Sequence, residues 1–492
     1  MKTSNRYRFV AGVMGSMCVH LAAAAHELPL PATTACLNTQ LASGRAQNSL
    51  SGISVVAMLD GRVVYRRSFG TVSPASTQPV QSSTRFRIGS VTKALTATAV
   101  LSLIDDDDLR LHTPVTRVLP GFSLPGDPAW LRQLTPHELL SNQGGLADPS
   151  DGMGPSDDGA LAAAFYDPAF TSSVGLMVRP GTFYNYASTN FMLAGLMAET
   201  VAGKPFRAVV RQHVFRPLDM KRATFLSSDV TSDNDAASGV APDTVYPPGS
   251  YDDSIERPAG MAWASADDMA KFMRFVLRGN HDVLSTRLWR AMQTPQVDTA
   301  EKPNGVLGYG YGLATDQNSR LPDSSGQLRF YPGVKMVWHE GAVHGYRALM
   351  VTLPNQQFGY VALVNGDLNN AFTDSMPCMR QAAAEAIGAR LPAPAPFPSP
   401  GIERERFVDY VGNYVDWQGF TANVTLTASG DLHIQIPSFD EGGLAYDPIL
   451  RPETRDNFTL VFDGGSLLVT GFREAGSNVV YLRTRETVLK RQ

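Results

Sequence analysis

Between positions 391 and 401 proline stands at every second residue, as Pro392, Pro394, Pro396, Pro398 and Pro400, and Gly401 closes the run. Proline fixes its own φ and has no backbone N–H to donate, so neither a helix nor an interior strand passes through such a stretch. Residues 391–401 therefore read as an extended, semi-rigid spacer, and the 492-residue chain has to fold as separate units on its two sides. Length alone suggests about three domains of roughly 150 residues each. Downstream of the spacer, residues 421–427, 433–436, 458–462, 467–469 and 479–482 are short β-rich runs separated by Gly, Asp and Ser turns. That pattern predicts a small all-β barrel or sandwich over 402–492.

The other end of the chain reads as an address. Lys2, Arg6 and Arg8 precede an apolar run from Phe9 to Ala25, which ends in the small residues Ala23, Ala24 and Ala25. This is the order of a secretory signal over 1–25; a membrane anchor is the alternative, but the run is short for a span and lacks a basic flank after it. Cys18 would mark a lipoprotein, yet Met17 before it is bulkier than lipid-modifying processing normally accepts. With the signal removed, Cys36 and Cys378 remain, and they are either a disulfide closing the ends of the main domain or two buried thiols. No later apolar run is long enough to cross a bilayer, so the expectation is an exported protein, periplasmic or secreted, without a membrane span after cleavage. Forty-two basic residues against 46 acidic ones offer no overall field for a polyanion, so nucleic acid is not an expected partner.

Residues 26–390 form the large unit. Ile53 to Leu59 and Val63 to Tyr65 are β-rich runs joined by Asp60-Gly61, a hairpin signal. A helical pattern starts at Ser90 and continues through Ile104, apolar over so much of its circumference that burial on most sides follows. Asp105 to Asp108 end it, and a solvated helix end is favoured over a calcium loop because the oxygen ligands lack loop spacing. Further helices are predicted over 190–201, 265–277 and 373–389, and strands over 349–353 and 359–365. Strands at both ends with helices between them imply an α/β (α+β) fold, an antiparallel sheet that draws on both ends and is flanked by helices, with an additional helical region.

The sequence Phe86-Arg87-Ile88-Gly89-Ser90-Val91-Thr92-Lys93 holds the chain's only Ser-x-x-Lys spacing. On a helix starting at Ser90, Lys93 lies one turn later on the same face, within reach of the serine hydroxyl. The helix N-terminus adds positive potential and backbone N–H groups, which favour an alkoxide and an acyl oxyanion. Lysine would then replace histidine as the base that activates the serine. Metal and cofactor chemistry find no motif: His137-Glu138 lacks a second His four residues on, no Cys-x-x-Cys occurs, and Gly203-Lys204 is followed by Pro205. No cofactor and no metal are expected.

Together with Leu134-Thr-Pro-His-Glu-Leu-Leu140, Pro180-Gly181 followed by Tyr186, Val214-Phe-Arg-Pro-Leu-Asp-Met220, Pro258-Ala-Gly-Met-Ala-Trp-Ala264 and His339-Glu-Gly341-Ala-Val-His-Gly345-Tyr346, this segment resembles the serine β-lactamase and penicillin-binding-protein superfamily, in its class C-like branch. The resemblance implies that Ser90 is the acylated nucleophile, Lys93 its proton partner and Tyr186 the second base, serving leaving group and water. His339 and Gly341 stand where the superfamily writes Lys-Thr-Gly or His-x-Gly. The N–H of Ala342 would join that of Ser90 in an oxyanion hole. His344 and His137 read as structural. The superfamily's Tyr-x-Asn is here Tyr186-Ala187-Ser188, so a hydroxyl replaces the amide that contacts a substrate's acylamide. Gln143 or Asn142 is then a candidate for that contact, or else a plain residue of the loop. Phe407-Val-Asp-Tyr410-Val-Gly-Asn-Tyr414 is similar to the entry of lipocalin-like domains appended to this family.

The implied function is an exported serine hydrolase acting on a small-molecule or peptide amide, such as a D-amino-acid peptide, a peptidoglycan-derived peptide or a β-lactam. A carboxylesterase is the alternative, favoured by His339 and Ser188. A penicillin-binding or ligand-binding module without turnover is the alternative of another class.

Overall fold

The computed structural model describes residues 27–492 apart from 150–153, 301–306, 324, 367–370, 464, 474–477 and 485–486, with backbone only over 371–375. The expected signal at 1–25 lies outside the described residues.

The hairpin signal is met by β1 (Leu50–Leu59) and β2 (Arg62–Gly70). Asp60 and Gly61 both take positive φ, 51° and 75°, as a two-residue turn between right-twisted strands requires. Six further strands complete the sheet: β3 (Val297–Asp298), β4 (Leu307–Tyr309), β5 (Ala314–Pro322), β6 (Leu328–Val343), β7 (Tyr346–Leu353) and β8 (Phe358–Gly366). Their order is β2-β1-β8-β7-β6-β5-β4-β3. Every pairing in it is antiparallel, and Val55 of β1 faces Ala362 of β8, so strands from both ends of this unit meet at its centre.

Side chains alternate across this sheet and build two cores. Ile53, Val55 and Ala57 of β1 pack with α1 (Pro31–Ala46) and α6 (Ala371–Ile387) on one face, where a Cys36–Cys378 disulfide joins the two helices with Cα atoms 5.6 Å apart. Val56 and Met58 point to the other face, into the core shared by α2 (Thr92–Asp105), α3 (Ser188–Ala202), the short α4 (Arg257–Gly260) and α5 (Ala266–Arg278). From Thr92 to Ile104 every α2 side chain is buried, in keeping with its unbroken apolar pattern. Asp106, Asp107 and Asp108 are exposed at its end. α5 opens with a capping box in which Ser265 and Asp268 satisfy each other's backbone N–H. α3 begins at Ser188, two residues before the predicted Asn190.

Beyond the spacer lie β9 (Gly412–Val415), β10 (Thr421–Leu426), β11 (Leu432–Gln435), β12 (Arg451–Pro452), β13 (Asn457–Phe462), β14 (Gly465–Arg473), β15 (Val479–Arg483) and β16 (Val488–Arg491). They form one antiparallel sheet in the order β11-β10-β9-β16-β15-β14-β13-β12. Its ends nearly close into a barrel, with Ile434 N–H donating to Pro448 O at 2.8 Å and Leu450 N–H to Leu432 O at 2.9 Å. Tyr410, Tyr414, Val424, Phe458, Leu460 and Leu482 fill the interior. The spacer itself lies along the large sheet, where Ala395 N–H donates to Phe330 O at 2.9 Å and Phe397 packs near the Phe330 ring. Among the described residues no helix is long and apolar enough to cross a membrane.

Candidate active site

Ser90 sits in a tight 3-10 turn, Gly89–Val91, that feeds directly into α2. Ahead of it, Arg85–Arg87 pairs with Trp263–Ser265, and Ile88 N–H donates to Ala262 O at 3.0 Å, so the turn is moored to the segment that follows α4. Lys93 is fully buried. Its Nζ donates to Ser90 Oγ at 3.0 Å, to Ser188 Oγ at 3.2 Å and to the backbone carbonyl of Ala259 at 3.0 Å. Its partners are two hydroxyls and a carbonyl, with no carboxylate among them. The Lys93–Ser90 bond is a direct path for a proton between nucleophile and amine.

Ala259 belongs to α4, and α4 is held by charge. Arg257, at its start, donates to Asp158 at 2.9 Å, Asp252 at 3.0 Å and the Ser156 carbonyl at 2.8 Å. Arg207 and Arg257 hold the Asp158 carboxyl below its usual range, mainly through the Arg207 hydrogen bonds. Two α2 hydroxyls add ties, Thr96 Oγ1 to Pro258 O at 2.6 Å and Ala262 N–H to Thr92 Oγ1 at 3.2 Å. Behind the turn, Arg87 is buried over the Trp263 ring at 4.8 Å, and that burial lowers its pKa to about 10.

The backbone of β6 passes against the Ser90 turn at two glycines. A Cβ on Gly341 would lie 1.9 Å from Ile88 O and 3.0 Å from Ser90 N, and a Cβ on Gly89 would lie 2.5 Å from Ala342 N. Only residues without side chains permit this approach, which brings the backbone N–H groups of Ser90 and Ala342 to one place. Gly89 also has φ +51°, a left-handed conformation suited to glycine.

Tyr186 is half-buried, with Lys93 Nζ 4.9 Å from its ring centroid. Ser188, the first residue of α3, is drawn into the Lys93 network by its hydroxyl. Its place depends on Asp148, whose carboxylate accepts from Ser188 N–H at 3.0 Å and Thr189 N–H at 2.9 Å, capping α3 from a distant loop.

His339, expected as a substrate donor, lines a pocket with Tyr186 and is held there by its own neighbours. It is 4% exposed, its Nδ1 lies 2.5 Å from Glu340 O and its Nε2 3.1 Å from the Tyr309 hydroxyl. A carbonyl only accepts, so Nδ1 donates to Glu340 O, and Nε2 pairs with the Tyr309 hydroxyl. The imidazole forms part of the wall beside Tyr186, at 6.3 Å between centroids. Gln143 is likewise held by neighbours. It is buried, its Nε2 donates to Ser141 Oγ at 2.8 Å, and its backbone carbonyl accepts from Gly181 N–H at 2.8 Å, so it braces its own loop. Asn142 Oδ1 accepts from Ala187 N–H and from Asn190, again within the scaffold. Thr135 and Glu138 of the Leu134–Leu140 motif form a capping box, His137 pairs with the Tyr311 hydroxyl at 2.9 Å, and His344 stacks on Tyr251.

The structure thus gathers Ser90, Lys93, Tyr186, Ser188, Gly341 and Ala342. It adds Ala259, Asp148 and Tyr309, which the motifs did not single out; only the Pro258-Ala-Gly run hinted at the first. A cleft of about 770 Å³ opens beside Ala342, lined among others by Met192, Tyr251, Ile255 and Met261.

The model of a family described as Beta-lactamase matches residues 37–383. The chain is 28% identical over 330 residues to an unguisins hydrolase of Aspergillus campestris, which takes in 64% of this chain and 58% of that protein. It is 27% identical over 372 residues to Penicillin-binding protein 4 of Amycolatopsis lactamdurans, covering 72% of this chain and 92% of that one. The solved structure of SurE with D-Leu superimposes with a TM-score of 0.68 at 21% identity, covering 94% of this chain and 99% of that one, so the likeness in fold includes the barrel.

Proposed function

The chain belongs to the beta-lactamase family of serine hydrolases, and from that premise we propose that it cleaves amides through an acyl-enzyme on Ser90. The observation that carries this reading is the 3.0 Å bond between Ser90 Oγ and the buried Lys93 amine. With Lys93 in its amine form, Ser90 Oγ attacks the substrate carbonyl while its proton passes to the Nζ lone pair, and Lys93 returns that proton to Ser90 Oγ when the acyl group leaves. The N–H groups of Ser90 and Ala342 hold the oxyanion, a task for which the contact at Gly89 and Gly341 suits them. Tyr186 passes a proton to the leaving group, then takes one from the water that releases the acyl group. Peptides of D-amino acids, including those derived from peptidoglycan, and β-lactams are the proposed acyl donors. A penicillin-binding relative and a D-leucine-bearing structural relative support that choice.

Ester cleavage is the second reading, and Ser188 favours it. Its hydroxyl is engaged by Lys93 where the superfamily's asparagine would offer an amide to the substrate. We also propose that the protein is exported, since the Cys36–Cys378 disulfide suits an oxidising compartment.

The test compares the purified protein and Ser90→Ala against a fluorescent penicillin, a D-alanyl-D-alanine peptide and a short-chain nitrophenyl ester, with the adducts followed by mass spectrometry. A transient adduct on Ser90 with amide release is expected. Ester release without any amide or penicillin adduct selects the esterase, persistent label selects a binding module, and full activity in Ser90→Ala ends the scheme.

A further inference from the structure

Tyr186 rides on a stretch without regular structure. From the short helix Pro168–Thr171 to α3 the backbone runs as turns and coil, so its conformation has to be set by neighbours. On one side the neighbour is the 142–145 loop. Met177 N–H donates to Gly145 O at 2.8 Å, Gly181 N–H to Gln143 O at 2.8 Å, and Asn185 N–H to Asn142 O at 2.7 Å.

On the other side the neighbour is the C-terminal barrel. Phe183 stacks on Phe472 with centroids 4.3 Å apart, and Val178, Phe183 and Val488 form one apolar cluster. Beside it, against the Phe472 ring, stands Arg483 of β15, 1% exposed. Arginine is rarely buried so completely without a specific set of acceptors. Here its guanidinium donates to the backbone carbonyls of Tyr184 and, at 2.8 Å, Thr299, and it lies 5.4 Å from the Tyr184 ring and 5.1 Å from the Phe472 ring. The Tyr184 ring in turn packs 5.4 Å from Tyr309, whose hydroxyl holds His339. Both the Tyr186 segment and the His339 wall are therefore reached from one residue of the barrel.

We propose that Arg483 is a positioning residue for hydrolysis, and that the barrel acts in catalysis by clamping the Tyr184–Ser188 backbone against Lys93. The inference rests on the reading of Tyr186 as the second base. Apolar packing alone would leave that backbone free to slide along the interface, whereas the planar fork of the guanidinium bridges the Tyr184 carbonyl to the Thr299 carbonyl and so ties the segment to the end of β3 as well as to the barrel.

The test uses the full chain with Arg483→Met, which keeps bulk and removes the donors, and Arg483→Lys, which keeps charge but not the fork. Steady-state kcat, KM, the pH profile of kcat and Tm are read for each with the best substrate found. Arg483→Met is expected to lose about 100-fold in kcat, with KM within about twofold and a displaced pH profile, and Arg483→Lys about tenfold. Phe472→Ala, which loosens the same interface by removing the ring beside the guanidinium but leaves both carbonyl acceptors in place, is expected to lower Tm and keep the pH profile. Wild-type kcat in Arg483→Lys overturns the proposal, even if Arg483→Met fails to fold. Parallel changes of kcat, pH profile and Tm in Phe472→Ala and Arg483→Met also overturn it, because they would show an interface that is merely structural. Tyr186→Phe, measured alongside, separates the two layers. If it is as fast as wild type, the base assignment itself falls; if it is slow while the Arg483 variants are normal, the proposal alone falls.

Discussion

Gly341→Ala adds one methyl group at the place where β6 crosses the nucleophile turn. That carbon would lie 1.9 Å from Ile88 O, 2.8 Å from Ile88 C and 3.0 Å from Ser90 N. An ordinary non-bonded contact is about 3.5 Å, so the two backbones have to part by roughly 1.5 Å. Overpacking of this kind costs about 1–3 kcal/mol of stability. The same displacement separates the N–H groups of Ser90 and Ala342, and misplacing or losing one oxyanion donor costs about 10²–10³ in kcat. Nitrophenyl-ester turnover and pre-steady-state acylation measure the catalytic loss; thermal melts measure the other. Gly121→Ala is the control: φ is +76° and no heavy atom lies within 4 Å of the added carbon, so only backbone strain of about 1–2 kcal/mol is expected, with kcat unchanged. A Gly341→Ala enzyme within threefold of wild-type kcat would refute the oxyanion assignment. A loss of equal size in Gly121→Ala would refute the argument from close approach.

Lys93→Met, similar in length but without the amine, should slow acylation of Ser90 by about 10²–10⁴-fold in a burst assay; near-normal acylation would move the base elsewhere. Cys378→Ser opens a link between positions 342 residues apart and should cost about 2–4 kcal/mol in denaturant unfolding. Its kcat should hold, because the disulfide lies on the face of the sheet away from Ser90; a proportionate loss of kcat would show that the two faces are coupled. Burial pushes the Asp316 carboxyl from 3.8 up to about 6, so between those values the folded chain binds a proton that the unfolded chain has released, and stability falls as pH rises through that window. Asp316→Asn should remove that decline and gain up to about 3 kcal/mol at pH 7.5 relative to wild type; urea melts at pH 4.5 and 7.5 that keep the wild-type difference would refute it.

The neighbours that hold His339 and Gln143 were not legible in the sequence, for one reason. Both were assigned by their places in motifs, and a motif gives the backbone position of a side chain but not the groups that compete for it. His339 meets Tyr309 from a neighbouring part of the sheet, and Gln143 meets Ser141 inside its own loop. Ser188 shows the reverse. Its identity departs from the superfamily pattern, yet its hydroxyl enters the Lys93 network, because Asp148 starts α3 two residues earlier than the local pattern predicts.

By itself the sequence determined what depends on neighbours a few positions apart: the Asp60-Gly61 hairpin, the buried helix that sets Lys93 one turn after Ser90, the extended proline strap and the β-rich tail. In each, steric limits on φ and the period of apolar residues act within one element. Tertiary structure decided the rest. Only folding brings the Ala259 carbonyl to Lys93, Gly341 against the Ser90 turn, Cys36 to Cys378, and Arg483 to the backbone beside Tyr186. These contacts join segments far apart in the chain, and their geometry follows from how sheets, helices and barrel pack, which no local pattern encodes.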